Sequence, residues 1–352
     1  MATYRIAVIA GDGIGKEVIP PGVAAMEAAA RGSDINLSFT EFPWGCEFYQ
    51  KHQRMLDEDA FEQLARFDAI YFGAIGSPSV PDHTSAGDMI LPLRKVFEQY
   101  VNLRPMRLLP GLSSPLANRG AADIDMVCVR ENSEGEYAAI GGRLHAGTPH
   151  ELAEQTAIFT RHGIDRIVRY AFEIAAKRPR RMLQSATKSN ALRYGMVLWD
   201  EVAEEVSKEY PSVSYRKYYV DAIAARMVTH PGTLDVIVAS NLFGDILTDL
   251  GAAVSGSLGV APGANINPER THPSMFEPIH GSAPDIAGKG IANPIGAIWA
   301  GAMMLDHLGR KDLHDRIVGA IERVVASGKS RTPDLGGTAR TMELADAIRK
   351  EI

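Results

Sequence analysis

The stretch Tyr4-Arg5-Ile6-Ala7-Val8-Ile9-Ala10-Gly11-Asp12-Gly13-Ile14-Gly15-Lys16 decides the fold class. Tyr4 to Ala10 is a short apolar run closed by glycine, which reads as a buried strand. The glycines that follow turn the chain into a helix through dihedrals that other residues adopt only at a cost. The same signals recur downstream. Leu37 to Phe42, Ala69 to Ile75, Asp123 to Arg130, Arg181 to Ser185, Tyr215 to Val220 and Val236 to Ala239 read as strands. Helical periodicity falls between and after them, near 91–100, 166–176, 192–209, 246–253, 295–308 and 317–326. Asp57-Glu58-Asp59 opens a further helix with Phe61, Leu64 and Ala65 on one face, acids suiting the positive helix start. Strands alternating with helices predict an α/β fold with a large, mostly parallel sheet.

The chain has 352 residues, more than the roughly 250–300 that one core organises. Two α/β lobes are expected. Hydrophobic content of 45% and charged content of 23% suit a soluble globular protein. A net charge of -6 argues against broad nucleic-acid binding, which needs a basic footprint. Cys46 and Cys128 form no CxxC pair and suggest no disulfide framework. The first apolar run is too short for a signal-peptide core, and nothing approaches the ~18 apolar residues of a membrane span. The cytoplasm is the default expectation. The Gly- and Ala-rich stretch 251–268 suits a crossover between lobes.

Gly11 to Lys16 imitates two phosphate-binding motifs and matches neither. The third glycine falls one position early for GxGxxG, and Glu17 stands where a P-loop needs Ser or Thr. A structural turn is the favoured reading, with a cofactor contact the lesser one. No GxSxG, HExxH or EF-hand pattern supports a hydrolase, zincin or calcium reading.

Four constellations remain. Arg94, Arg104 and Arg130 sit in Leu91-Pro92-Leu93-Arg94, Asn102-Leu103-Arg104-Pro105 and Val129-Arg130-Glu131-Asn132. Guanidinium forks grip carboxylates bidentately, so three that converge suit a dicarboxylate; singly, most arginines merely pair with surface acids. Asp245 and Asp249 lie four apart after the strand Val236 to Ala239. On a helix they share a face and repel unless a divalent cation joins them, and carboxylate oxygens suit Mg2+ or Mn2+. An acidic helix start also explains Asp245, and Asp249 less well. Tyr137, Lys188 and Asp221 are scattered, and each alone reads as a solvated surface residue. Finally, Glu277-Pro278-Ile279-His280-Gly281-Ser282-Ala283-Pro284-Asp285-Ile286 offers a Gly-Ser turn entering a helix, with free N–H groups for a pyrophosphate. Asp285 would hold ribose hydroxyls and repel a 2′-phosphate, favouring NAD. The alternative is an ordinary Gly/Pro loop.

At these residues the chain resembles the β-decarboxylating dehydrogenases, the isocitrate/isopropylmalate dehydrogenase family. The resemblance rests on Gly11-Asp12-Gly13-Ile14-Gly15, Asn102 to Pro105, Arg130-Glu131-Asn132-Ser133-Glu134-Gly135-Glu136-Tyr137, Asn241-Leu242-Phe243-Gly244-Asp245 and His280 to Asp285, and covers nearly the whole chain. It implies a two-domain α/β fold without the usual dinucleotide fingerprint. Residues 1–101 plus 260–352 would form a split NAD domain, and 102–259 the substrate, metal and dimerisation domain. Arg94, Arg104 and Arg130 would bind substrate carboxylates. Tyr137 would protonate the enol, and Lys188 with Asp221 would assist proton transfer from the 2-hydroxyl. Asp221, Asp245 and Asp249 would hold Mg2+ or Mn2+, and a monovalent cation stays open. Ile75, Glu277, His280, Gly281, Ser282, Ala283, Pro284, Asp285, Ile286, Asn293 and Asp334 would line the NAD site. Lys188 and Asp221 would reach the site from a second subunit, implying a homodimer with shared sites and a small dicarboxylate substrate.

Within the family the resemblance is greatest to tartrate and D-malate dehydrogenases, through Trp44-Gly45-Cys46, Pro81-Asp82-His83 and Phe97 to Pro105. Selectivity is expected just before Arg94. Asp88 would repel a third carboxylate, against isocitrate. Gly87 stands where an isopropylmalate enzyme carries glutamate, although Ile90 and Leu91 are apolar. Asp88 and Met89 depart from the tartrate and D-malate pattern too. The alternatives are a 3-isopropylmalate dehydrogenase and a catalytically silent regulatory homologue.

Overall fold

The structure, a computed structural model, describes residues 2–352. In chain order the strands are β1 (Ala2–Gly11), β2 (Ile35–Glu41), β3 (Ala69–Ala74), β4 (Val101–Arg107), β5 (Asp125–Glu131), β6 (Gly135–Leu144), β7 (Leu152–Ile158), β8 (Met182–Thr187), β9 (Ser214–Tyr219), β10 (Val236–Ala239), β11 (Pro262–Ile266) and β12 (Ser274–Pro278). One ten-stranded sheet runs β2-β1-β3-β12-β11-β4-β5-β10-β8-β9. Its pairings are parallel except at the centre, where β12–β11, β11–β4 and β4–β5 are antiparallel. β6 and β7 form a separate hairpin. The α/β class and the mostly parallel sheet stand as expected.

Parallel strands need helical crossovers, and helices cover this sheet. Gly15–Ala30 packs on Ile295–His307, which is buried along nearly its whole length. Arg161–Lys177 is amphipathic; its cap Thr160 accepts the Gly163 N–H, and Ile164, Ile167, Val168, Ala171 and Phe172 face inward. Cys46 and Cys128 are buried free thiols. No helix among the described residues is long and apolar enough to cross a membrane.

The glycine turn is structural. Gly11 and Gly13 have φ of +70° and +51°, and a Cβ on them would lie 1.9 Å from the Ala74 oxygen and 2.0 Å from the Ser282 oxygen. One sequence expectation here needs correction. The helix expected over 91–100 stops at Val96, because Glu98 turns left-handed (φ 45°) and the chain enters β4. β4 itself, β11, β12, the β6–β7 hairpin and the terminal helix Thr341–Glu351 were not anticipated. The stretch 251–268 holds the end of helix Asn241–Val254, a short 3-10 turn at Leu258–Val260, and β11.

Candidate active site

Two of the three arginines are placed by antiparallel register. β4 sets Asn102 opposite Arg130 and Arg104 opposite Cys128, so Arg104 and Arg130 lie diagonally on one face. Arg94 comes from helix Leu91–Val96, which continues from a π-helical turn at Ala86–Ile90. All three are buried, at 7%, 7% and 1% exposure for Arg94, Arg104 and Arg130.

Helix Asn241–Val254 closes over them. It can seat there because Gly244 has no side chain; a Cβ would lie 2.6 Å from Arg130 Cβ. Asn241 Oδ1 accepts Arg130 Nε at 3.0 Å and Nη2 at 2.8 Å, and Asn241 Nδ2 donates to the Glu134 carbonyl at 3.0 Å. One turn on, Asp245 Oδ1 meets Arg130 Nη1 and, at 3.3 Å, Arg104 Nη1. Asp245 Oδ2 accepts the Tyr137 hydroxyl at 3.1 Å. Arg104 Nη1 also donates to Thr248 Oγ1 at 2.7 Å and lies 3.9 Å from Asp249 Oδ1. Arg94 Nη2 reaches Glu277 Oε1 at 3.4 Å.

The electrostatics follow from burying this much positive charge. Desolvation, reinforced by Arg104, pushes Arg130 down to about 9. Desolvation also lowers Arg94, partly offset by Glu277. Burial alone would raise Asp245, but Arg130 and Arg104 outweigh it and hold it below the usual carboxylate range. Asp249 is raised by burial against the pull of Arg104. Tyr137 is raised by burial and by Asp245, which keeps its proton on. Arg94 Nε and Arg104 Nε are buried without a partner. Buried N–H donors of a charged group without acceptors fit an anion.

Lys188 and Asp221 stand apart. Lys188 Nζ donates to Asp221 Oδ1 at 2.8 Å, which lowers the Asp221 carboxyl. Among the described residues neither side chain bonds to the arginine cluster, and no three His, Cys, Asp or Glu side chains gather as a metal site. Within one chain the expected metal trio is therefore not assembled: Asp245 and Asp249 are together, and Asp221 is elsewhere. The chemistry of the pair present, two carboxylates on one helical face, fits a hard divalent ion that needs further oxygen donors.

The second half of the site is the 277–286 segment. The Ile14 N–H donates to the Ser282 carbonyl at 2.9 Å, and Glu17 Oε1 accepts the Gly288 N–H at 2.5 Å. The glycine turn thus buttresses this loop. The expectation of a helix at Gly281-Ser282 is wrong: 281–294 is turn and coil, and the helix starts only at Ile295. Tight turns leave Ala283 at φ 41°. Asp285 is exposed, with no side-chain bond among the described residues. Burial lowers His280, leaving a neutral imidazole whose Nε2 has no partner. Ile75 is partly buried just after β3. Asn293 Nδ2 donates to Asp334 Oδ2 at 2.9 Å, and Ser257 and Thr332 donate to the same carboxylate at 2.6 and 2.5 Å. Gly259 leaves room for this cluster. A glycine-lined loop with an exposed acid and an imidazole whose Nε2 is unpartnered fits a nucleotide.

Asn241, Thr248 and Asn265 escaped the sequence reading. Asn241 had a signal, lying in the quoted 241–245 stretch one helical turn before Asp245.

The isocitrate/isopropylmalate dehydrogenase family model matches residues 5–348. The D-malate dehydrogenase (decarboxylating) of Escherichia coli is 55% identical over 100% of this chain and 99% of its own length. The tartrate dehydrogenase/decarboxylase of Pseudomonas putida is 52% identical over 98% of this chain and 97% of its own. The isocitrate dehydrogenase structure from Methylococcus capsulatus superposes with a TM-score of 0.89 at 36% identity, covering 99% of each chain.

Proposed function

Because this chain belongs to the isocitrate/isopropylmalate dehydrogenase family, we propose that it oxidises and decarboxylates a small 2-hydroxy dicarboxylate, D-malate or a tartrate, with NAD and Mg2+ or Mn2+. The observation that carries this is the burial of Arg94, Arg104 and Arg130 with two N–H groups unpartnered. Two buried guanidiniums thus keep an N–H donor without an acceptor, and a dicarboxylate supplies acceptors. The names of the relatives support the substrate class. Gly87, open on its Cβ side, replaces the glutamate of the isopropylmalate reading and supports a substrate without an alkyl arm.

When bound, the divalent ion supplies Lewis acidity and NAD supplies the hydride acceptor. The three arginines hold and orient the carboxylates. Lys188, with Asp221, would assist proton transfer from the 2-hydroxyl. Tyr137 Oη delivers a proton to the product carbon after CO2 leaves, and its raised pKa keeps that proton in place beforehand. Asp245 and Asp249 hold the ion, with Asp221 of a second copy as third donor. Gly281 to Ile286, with Asn293 and Asp334, cradle NAD.

We place the protein in the cytoplasm as a homodimer. Ile140, Leu144 and Leu152 on the hairpin, Ile246 beside Asp245 and Val228 on the Val220–Thr229 helix that carries Asp221 are exposed apolar residues, the kind of surface a second copy covers. The two-domain division is part of the same proposal: 1–101 with 260–352, and 102–259.

The test is NADH absorbance with Mn2+ over D-malate, the tartrates, 3-isopropylmalate and isocitrate. Turnover of D-malate or a tartrate, abolished by chelator, is expected. Preference for 3-isopropylmalate would overturn the substrate assignment. Folded, NAD-binding protein silent on all would revive a regulatory homologue. Asp249→Asn should raise the Mn2+ needed for half-activity about tenfold or more.

A further inference from the structure

We infer that Asn265 is a positioning residue whose side-chain amide sets the contact between Glu277 and Arg94, and so how firmly Arg94 holds substrate. The inference rests on the substrate-binding role proposed above for Arg94.

Asn265 lies in β11 with no exposed surface. Its Oδ1 accepts Asn102 Nδ2 at 2.8 Å and Asn132 Nδ2 at 2.9 Å. A carbonyl oxygen with two donors has both lone pairs used, so the orientation of the amide is fixed. The NH2 end faces Glu277 and donates to Oε1 at 2.7 Å. That same oxygen is the one Arg94 Nη2 approaches at 3.4 Å. Glu277 is therefore held closely by Asn265 and loosely by Arg94. The guanidinium keeps capacity for another anion, and its Nε is unpartnered.

The hydrogen bonds run in one direction. Asn102 and Asn132 donate to Asn265, and Asn265 donates to Glu277. That direction leaves the Asn102 and Asn132 side-chain oxygens buried without partners, which costs stability. Side chains serving only to fill a sheet interior do not need such an arrangement. The sheet adds a second link. Asn265 is opposite Asn102, and Asn102 is opposite Arg130. One rung of the sheet thus aligns the amide that steadies Glu277 with the strand that carries Arg130.

Asn265→Asp tests this. It keeps the shape and the acceptor for Asn102 and Asn132 but removes the donor to Glu277. With D-malate varied at saturating NAD and Mn2+, KM should rise about tenfold with kcat within about threefold. The exchange N265D/E277Q puts the amide and the carboxyl back in contact with their roles reversed. Its KM should fall below that of N265D. A wild-type KM in N265D, a loss confined to kcat, or effects in the double variant that simply multiply would overturn the positioning role. Should N265D not fold, Asn265→Ser keeps an acceptor for Asn102, is too short to reach Glu277, and carries the same expectation. Wild-type protein that turns over no dicarboxylate defeats the substrate assignment itself, and this inference with it. That result is distinct from a normal KM in N265D.

Discussion

The two oxygens of Asp245 face different partners: Oδ1 the guanidinium of Arg130, Oδ2 the hydroxyl of Tyr137 at 3.1 Å. The acid thereby links the residue proposed to hold substrate to the one proposed to hand it a proton. Tyr137→Phe removes that proton donor and leaves the arginines in place. Its kcat should fall about 10²–10⁴-fold, with the NAD dissociation constant, read by fluorescence, unchanged. A kcat within twofold of wild type would remove Tyr137 from the chemistry.

Lys188 and Asp221 pair with each other away from this cluster, and in the proposed dimer they complete the site of the other copy. Tyr137→Phe and Lys188→Ala homodimers should each be nearly inactive. Mixed after subunit exchange, half of the dimers would be hybrids with one intact site, giving about a quarter of wild-type activity. No recovery, with exchange demonstrated by mass spectrometry of differently tagged subunits, would mean that each site is built within one chain.

Gly13 sits at φ +51° with its missing Cβ aimed at the Ser282 carbonyl. Gly13→Ala should cost at least about 1–3 kcal/mol by thermal or urea melting, and raise the NAD KM more than the D-malate KM. Gly281 is the control, because nothing lies within 4 Å of its Cβ position. Gly281→Ala should keep stability within about 0.5 kcal/mol. Equal effects at the two positions would argue against the buttress.

His307 stacks obliquely near Phe276, and burial with help from Arg270 lowers its pKa to about 4 from 6.5. The unfolded chain then binds the proton more readily. Stability present above pH 6.5 is lost as pH falls through 6.5 to 4, by at most ~3 kcal/mol. His307→Phe should flatten that part of the stability profile in urea melts. An unchanged slope between pH 6.5 and 4 would assign the acid sensitivity to other groups.

The elements readable in the sequence are those whose signal is local. β1, β3 and β10 are continuous apolar runs, and Asp245 and Asp249 share a face because a helix repeats every 3.6 residues. β4 is hidden because its buried face carries Asn102 and Arg104, and Pro105 interrupts it. Those polar residues are inward and bonded to Asn265, Asp245 and Thr248, and they mask the period that would reveal the strand. The hairpin is hidden for the opposite reason: β7 is exposed on nearly every side chain, and so is the outer half of β6. Asn241, Thr248 and Asn265 are recognisable only once their partners are in place. The Gly-Ser turn at Gly281 imitates a helix entry, but the next helix begins only at Ile295, whose N–H donates to Asn293 Oδ1.

β11 and β4 are joined through Ala264 and Leu103, Asn265 and Asn102, and Ile266 and Val101. The proposed cofactor loop and the arginine strands therefore hang from one uninterrupted ladder, with no swivelling linker between them. Any opening between that loop and those strands would have to flex this seam, within what three residue pairs can splay before their backbone bonds part.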